Sequence, residues 1–120
     1  MKAIRSAGPP VWTLDEGVEF IRTVRIPFLQ AGYGVGLGGS LVYCGSSTKD
    51  LDLLVFPLRS TEGVVHLDPV RSVLVAVGLT LVHDWQFVRE EWRRNFGSED
   101  QKCVEVWDYR GRRVDVFVLT

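Results

Sequence analysis

Two aspartates spaced one residue apart, Asp50 and Asp52, have the most evident capacity for chemistry in this sequence. They open the run 50–56, whose other residues are all apolar. Because side chains alternate between the two faces of a strand, a strand here places both carboxylates on one face and Leu51 and Leu53 on the other. Carboxylate oxygens are the hard ligands that Mg²⁺ prefers. Taken alone, such a pair is more often the solvated start of a strand than a metal site.

A third aspartate, Asp115, changes this balance. It lies within the apolar run 114–119, where an unpaired carboxylate would be costly to bury. One partner for it is Arg113, two residues away on the same face. The other is a divalent cation shared with Asp50 and Asp52, and two such ions about 4 Å apart would stabilise both the attacking and the leaving oxygen of a phosphoryl transfer. Both partners remain open, and the three acids together with a nearby glycine turn favour the metal.

The glycine turn is Gly38-Gly39-Ser40, and nine residues separate it from the first aspartate. Glycine leaves the backbone accessible to a ligand, the serine offers a hydroxyl, and a helix is expected to begin at Ser40. These features suit a bound phosphate. Lys49, directly before Asp50, either neutralises a phosphate or is a solvated lysine of an exposed loop, and the sequence favours neither interpretation.

Composition limits the classes of function. The chain has 120 residues, which predicts one domain (1–120) with no room for a second catalytic domain. Fourteen Lys and Arg residues stand against fifteen Asp and Glu residues, so no global attraction to nucleic acid or membrane is indicated. Cys44 and Cys103 show no spacing typical of a zinc site or a disulfide framework, which favours a cytoplasmic location. The sequence shows neither a signal-peptide pattern nor an apolar run of about 18 residues that could span a bilayer.

Local signals predict alternating helices and strands after an extended lead-in over residues 1–12. Thr13 and Glu16 have the spacing of a capping box and begin a first helix, which Pro27 should end or kink near Ile26. Asp68 and Pro69 predict the start of a later helix, with Asp68 as its N-cap. The remaining predicted elements are a strand over 33–37, a helix over 40–44, a strand over 50–56, a strand or return segment over 79–82, a helix from 85, and strands over 102–109 and 112–119.

These elements predict an α+β (mixed α/β) domain. Helices pack on a small sheet of about four to five strands, which ends in an antiparallel hairpin turned by Arg110-Gly111. Trp85 and Trp92 offer surfaces for base stacking, but their helical spacing with Val88 favours a role in the core. His66 and His83 lack partners at ligand spacing and are interpreted as structural.

The residues 37–56 and the later Val114-Asp115-Val116 resemble the DNA polymerase β-type nucleotidyltransferase superfamily. The shared pattern is an apolar residue with Gly-Gly or Gly-Ser, a spacer, a carboxylate-apolar-carboxylate strand and a third carboxylate on a following strand. The chain's size resembles the minimal single-domain members, including antitoxin-like ones, and its glycine-rich loop resembles the abortive-infection type. Ser46, Ser47 and Lys49 stand where the family often has an arginine.

The resemblance implies transfer of a nucleoside monophosphate from an NTP to a hydroxyl of an RNA, protein or small-molecule acceptor, with release of pyrophosphate. Asp50 and Asp52 would hold the nucleotide-side ion, and Asp115 a second ion beside the acceptor hydroxyl. The ions would be Mg²⁺, with Mn²⁺ as an alternative, and the triphosphate would be bound by four residues: Gly38, Gly39, Ser40 and Lys49.

The alternative is a binding module on the same fold. Such a module would be an antitoxin or regulatory subunit with weak or absent catalysis, whose role is to occupy a partner protein. A partner protein or a homo-oligomer is expected in either case, because one small domain offers little surface for an acceptor.

Overall fold

The computed structural model of the chain describes residues 11–47, 49–96 and 103–120. Residues 1–10, most of the predicted lead-in, lie outside the described residues, as does Lys102 at the start of a predicted strand. Trp12, the last residue of that lead-in, is extended but wholly buried in the core.

The described part of the chain contains four helices. They are α1 (Leu14–Gln30), α2 (Ser40–Cys44), α3 (Leu67–Ala76) and α4 (Trp85–Phe96). The predicted capping box of α1 is confirmed: the Thr13 hydroxyl accepts from the Glu16 N–H at 3.2 Å, and the Glu16 carboxylate accepts from the Thr13 N–H at 3.0 Å.

One predicted helix start is wrong, and one of the two predicted effects of Pro27 is excluded. Pro27 does not end α1, which continues to Gln30 with the proline inside it. Continuing the helix buries Phe28 completely, and this burial offsets the hydrogen bond that proline cannot donate. Helix α3 begins at Leu67 rather than after Asp68, with His66 as its N-cap. Pro69 therefore lies in the first turn, where a backbone N–H has no partner within the helix in any case.

Five strands form the main sheet, in the order β2-β4-β7-β6-β5. The pair β4–β7 is parallel and the other neighbouring pairs are antiparallel. Two short strands form a separate antiparallel pair, β1–β3. The strand bounds are β1 (Trp12–Thr13), β2 (Tyr33–Gly38), β3 (Ser46–Ser47), β4 (Leu51–Pro57), β5 (Thr80–His83), β6 (Cys103–Tyr109) and β7 (Arg112–Val118).

The strand predictions agree with these bounds to within about one residue at most ends, and the segment left open as strand or return is β5. The predicted hairpin turn is confirmed. Both of its residues have positive φ, 54° at Arg110 and 82° at Gly111, which is the conformation of a two-residue type I′ turn. The fold is thus the α+β domain with a small sheet that the sequence predicts.

The two faces of the sheet have different cover. Alternation along β4 and β7 puts Leu53 and Val116 on the back face, in one core with buried residues of α1 and α3. The opposite, front face carries Asp52 and Asp115. Helix α4 covers the β6 side of the front face in a second cluster: Val88, Val104 and Val106, with Trp92 and Phe117 packed against them. Trp85 packs against the main core, so both tryptophans have the core role that their spacing predicts.

A buried ion pair, which the sequence analysis did not predict, ties α3 to the sheet. The side chain of Glu105 on β6 is 1% exposed, and both of its carboxylate oxygens accept hydrogen bonds from the Arg71 guanidinium. The same carboxylate accepts the backbone N–H of Trp85 at 3.1 Å. Glu105 therefore joins α3, β6 and the start of α4. Among the described helices, none has the length and hydropathy that crossing a bilayer requires.

Candidate functional site

The parallel pairing of β4 and β7 brings the three predicted aspartates together. In its register Asp52 lies directly beside Asp115, and Asp50 stands just before β4. One carboxylate oxygen from each residue lies within 4.8 Å of the other two. All three residues are half-buried, so their oxygens face a site that solvent still reaches. We call these three residues the aspartate cluster.

The position of Asp50 is held by a buried serine. The Ser47 side chain, 5% exposed, accepts from the backbone N–H of Asp50 at 3.1 Å and of Lys49 at 3.3 Å. These two hydrogen bonds from the backbone to the serine side chain form a turn, which fixes the backbone that carries Asp50. From the sequence we named Ser47 only among the residues that stand where the family often has an arginine, although a serine three residues before Asp50 is a signal that could have indicated this role.

Trp12 supports the same region from the other side. It pairs with Ser47 in the β1–β3 ladder, and its indole Nε1 donates to the Arg113 carbonyl at 3.0 Å. Trp12 thus links the loop before Asp50 to the strand that carries Asp115. This link joins residues far apart in the chain, so no local sequence pattern indicates it.

The glycine turn lies against the cluster. Gly38 ends β2 and pairs with Asp52, and Gly39 follows with a φ of 69°, a conformation that favours glycine. A Cβ atom at Gly39 would overlap with the Asp52 carboxylate. Ser40 begins α2 and is exposed. The close approach of backbone to carboxylate explains why glycine is required at position 39.

Burial and mutual repulsion raise the pKa values of Asp50 and Asp52. Burial, with the neighbouring charges of Asp115 and Asp52, raises the pKa of Asp50 to about 6, although the Arg113 charge opposes this shift. The pKa of Asp52 is also raised, mainly by burial and then by the Asp115 charge, against the charges of Arg113 and Lys49. Lys49 itself is exposed.

Arg113, the alternative partner considered for Asp115, is paired with it. Its Nε donates to Oδ1 of Asp115 at 2.8 Å and its Nη2 to Oδ2 at 3.3 Å, in a two-pronged contact. The same Nε lies 3.9 Å from Oδ2 of Asp50. The Arg113 side chain is 43% exposed, whereas that of Asp115 is only 14% exposed. The structure therefore contains both features that the sequence left open, the ion pair and the grouping of the three acids.

The donor set of the cluster fits a divalent metal ion. Three carboxylates converge, and hard oxygen ligands of this kind suit Mg²⁺ or Mn²⁺ rather than the softer metals that prefer sulfur or imidazole. Burial, together with repulsion that one arginine does not fully compensate, raises the pKa of Asp50 and of Asp52. A doubly charged cation would relieve that repulsion.

Comparisons with known proteins show a shared fold. No family model matches the chain, and no curated protein matches it. Among solved structures, a cytoplasmic RNA terminal U-transferase matches with a TM-score of 0.57 and 14% identity, covering 88% of this chain and 28% of that chain. Cid1, an RNA terminal uridylyl transferase, matches with a TM-score of 0.58 and 14% identity, covering 88% of this chain and 31% of that chain.

These matches confirm the fold class, a small α+β domain of nucleotidyltransferase type. At this identity they show the fold alone. The chain spans about three tenths of the length of the two structures. Membership in the DNA polymerase β-type superfamily therefore stays a prediction, and the comparisons support it at the level of architecture.

Proposed function

We propose that this chain is a metal-dependent nucleotidyltransferase, which moves a nucleoside monophosphate from an NTP to an acceptor hydroxyl and releases pyrophosphate. One observation carries the proposal. Three carboxylates converge on the front face of a sheet whose fold is shared with two RNA terminal uridylyltransferases. Partly buried acids with raised pKa values lower the stability of the fold. Such a group of acids is more typical of a binding site than of a solvated surface without function.

Asp50, Asp52 and Asp115 are the residues that would hold Mg²⁺, or Mn²⁺ in its place. When bound, the metal supplies charge compensation for the phosphates and acidifies the attacking hydroxyl. In this scheme Asp50 and Asp52 would hold the ion on the nucleotide side. Asp115, on the neighbouring strand, would hold an ion beside the acceptor hydroxyl.

The triphosphate is proposed to lie on the glycine turn. The Gly38-Gly39 backbone lies directly beside Asp52, so a phosphate bound there would be close to a metal held by the aspartate cluster. The exposed hydroxyl of Ser40 donates a hydrogen bond to a phosphate oxygen. Lys49, whose charge already acts on Asp52, neutralises part of the phosphate charge.

RNA with a free 3′ hydroxyl is the first acceptor to test, and UTP the first nucleotide, because both structural neighbours are RNA terminal uridylyltransferases. A protein or a small molecule is the next class. We propose that further contacts to the acceptor come from a partner protein or from a second copy of the chain, since one small domain offers little surface for an acceptor.

The test uses the double variant Asp50→Asn, Asp52→Asn. Incubation with NTPs labelled at the α-phosphate, an RNA oligonucleotide and Mg²⁺ should transfer label for the unaltered chain and lose it by at least about a hundredfold for the variant, because several kcal/mol of charge stabilisation are removed. Asp15→Asn is the matched control, since Asp15 is an exposed acid in the first turn of α1. Unchanged transfer in the double variant would refute the assignment.

A binding module is the second candidate. It is favoured by the Arg113–Asp115 ion pair, which satisfies one acid without any ligand. Addition of labelled NTPs together with a cell extract separates the two functions. A transferase labels a component of the extract in a manner that EDTA abolishes, whereas a pure binding module labels nothing.

A further inference from the structure

Arg113 lies beside the aspartate cluster and forms an ion pair with Asp115. The proposed function needs the Asp115 carboxylate as a metal ligand. Arg113 contacts both oxygens of Asp115 through two N–H groups, at 2.8 and 3.3 Å. A paired, two-pronged contact of this kind is among the stronger ion-pair geometries in proteins. While it persists, both Asp115 oxygens have a donor in front of them.

The positive charge of Arg113 also acts on Asp50. Its Nε lies 3.9 Å from Asp50 as well as 2.8 Å from Asp115, so one guanidinium is shared by two of the three acids. A cation at this position lowers the negative potential that attracts a divalent metal. It also holds the acids together when no metal is bound.

The two partners of the ion pair differ in their freedom to move. Asp115 is in the middle of β7, between β4 and β6, so its backbone is fixed by ladders on both sides. Arg113 is near the start of β7 and its side chain is 43% exposed. The guanidinium can therefore rotate into solvent with little loss of packing, whereas the carboxylate stays in place.

We propose that Arg113 is a built-in competitor of the metal, which assembles the empty aspartate cluster and must release Asp115 before Asp115 becomes a metal ligand. This inference rests on the metal site of the proposed function. Arg113 acts as a positioning residue through Asp115, and it sets the metal concentration at which the site fills.

The experiment measures metal affinity directly. Titration calorimetry of Mn²⁺ and Mg²⁺ into the unaltered chain and into Arg113→Gln should show binding at least about tenfold tighter for the variant, because both a competitor and a like charge are removed. Arg113→Lys keeps the charge but loses the two-pronged contact, so its affinity should fall between the two. In EDTA, Arg113→Gln should unfold at lower urea concentration than the unaltered chain, and saturating Mn²⁺ should narrow that difference.

Arg22→Gln is the matched control, since it removes the same charge from the exposed face of α1, where Arg22 pairs with Glu19 at 2.9 Å. It should leave metal affinity unchanged, and an equal gain in affinity would overturn the proposal in favour of a net-charge effect. Equal or weaker metal binding by Arg113→Gln also overturns it. If Arg113→Gln does not fold, Arg113→Lys provides the test. A metal affinity of Arg113→Lys equal to that of the unaltered chain would contradict competition between Arg113 and the metal for Asp115. Absence of metal binding in every folded variant would instead refute the proposed function itself.

Discussion

At the scale of single residues, the site is a compromise between three acids that repel one another and the groups that hold them close. Ser47 and Gly39 fix the backbone beside Asp50 and Asp52, while Arg113 compensates part of the charge. Burial, together with the residual repulsion, raises the pKa of Asp50 to about 6. Such a site stores unfavourable energy in the empty state that a bound cation would release.

The raised pKa of Asp50 predicts an unusual dependence of the free energy of unfolding on pH. The pKa of Asp50 is about 6 in the folded chain against an ordinary value of 3.8, so the folded state binds more protons between these values. The contribution of Asp50 to the free energy of unfolding therefore falls as the pH rises from about 4 to about 6, and is level above that. Asp50→Asn lacks this titration.

Urea unfolding in EDTA at a series of pH values measures the effect. The free energy of unfolding of the unaltered chain, minus that of Asp50→Asn, should decrease across this interval. A difference that stays constant, or that increases with pH, would contradict the raised pKa. Addition of Mg²⁺ above pH 6 should restore stability to the unaltered chain and have less effect on the variant.

At the scale of elements, Glu105 determines how α3 and α4 meet the sheet. Its buried carboxylate joins the Arg71 guanidinium to the Trp85 backbone N–H at the start of α4. Helix α4 in turn covers the front face next to the aspartate cluster. The ion pair is therefore expected to matter for the stability of the fold and for the shape of the site's surroundings.

Arg71→Ala should be more harmful than Glu105→Gln. Removing the arginine leaves a carboxylate that is 1% exposed with no cation, at a cost of about 2–4 kcal/mol in the free energy of unfolding. Removing the acid leaves an arginine that is 32% exposed and can turn to water, so the cost should be about 1–2 kcal/mol. Urea denaturation measures both values.

Arg22→Ala is the control for these two variants. Its ion pair with Glu19 is largely exposed, and its loss should change the free energy of unfolding by less than about 0.5 kcal/mol. If Arg71→Ala were as mild as this control, the buried pair would have no structural importance.

At the scale of the whole molecule, the features that the sequence predicts well are those formed by residues close together in the chain. The capping box at Thr13 and the turn at Arg110-Gly111 are local signals and are confirmed. The three aspartates were grouped by their residue types and an apolar context, and the parallel β4–β7 register brings them together. Their catalytic and metal-binding roles stay predictions.

The features missed from the sequence depend on distant contacts. The Arg71–Glu105 pair joins residues 34 positions apart, and the Trp12 indole bonds a carbonyl 101 positions away. Nothing in the local pattern around either residue indicates its partner. Pro27 was predicted to end or kink α1 because proline cannot donate a hydrogen bond, and the helix continues past it with Phe28 buried in the core.

A crystal structure of the chain with Mg²⁺ and a non-hydrolysable NTP tests the proposed metal site most directly. We expect metal ligated by oxygens of Asp50, Asp52 and Asp115, the triphosphate against Gly39 and Ser40, and the Arg113 guanidinium turned away from Asp115. A nucleotide bound elsewhere, with the Arg113–Asp115 pair intact and no metal at the three aspartates, would contradict it.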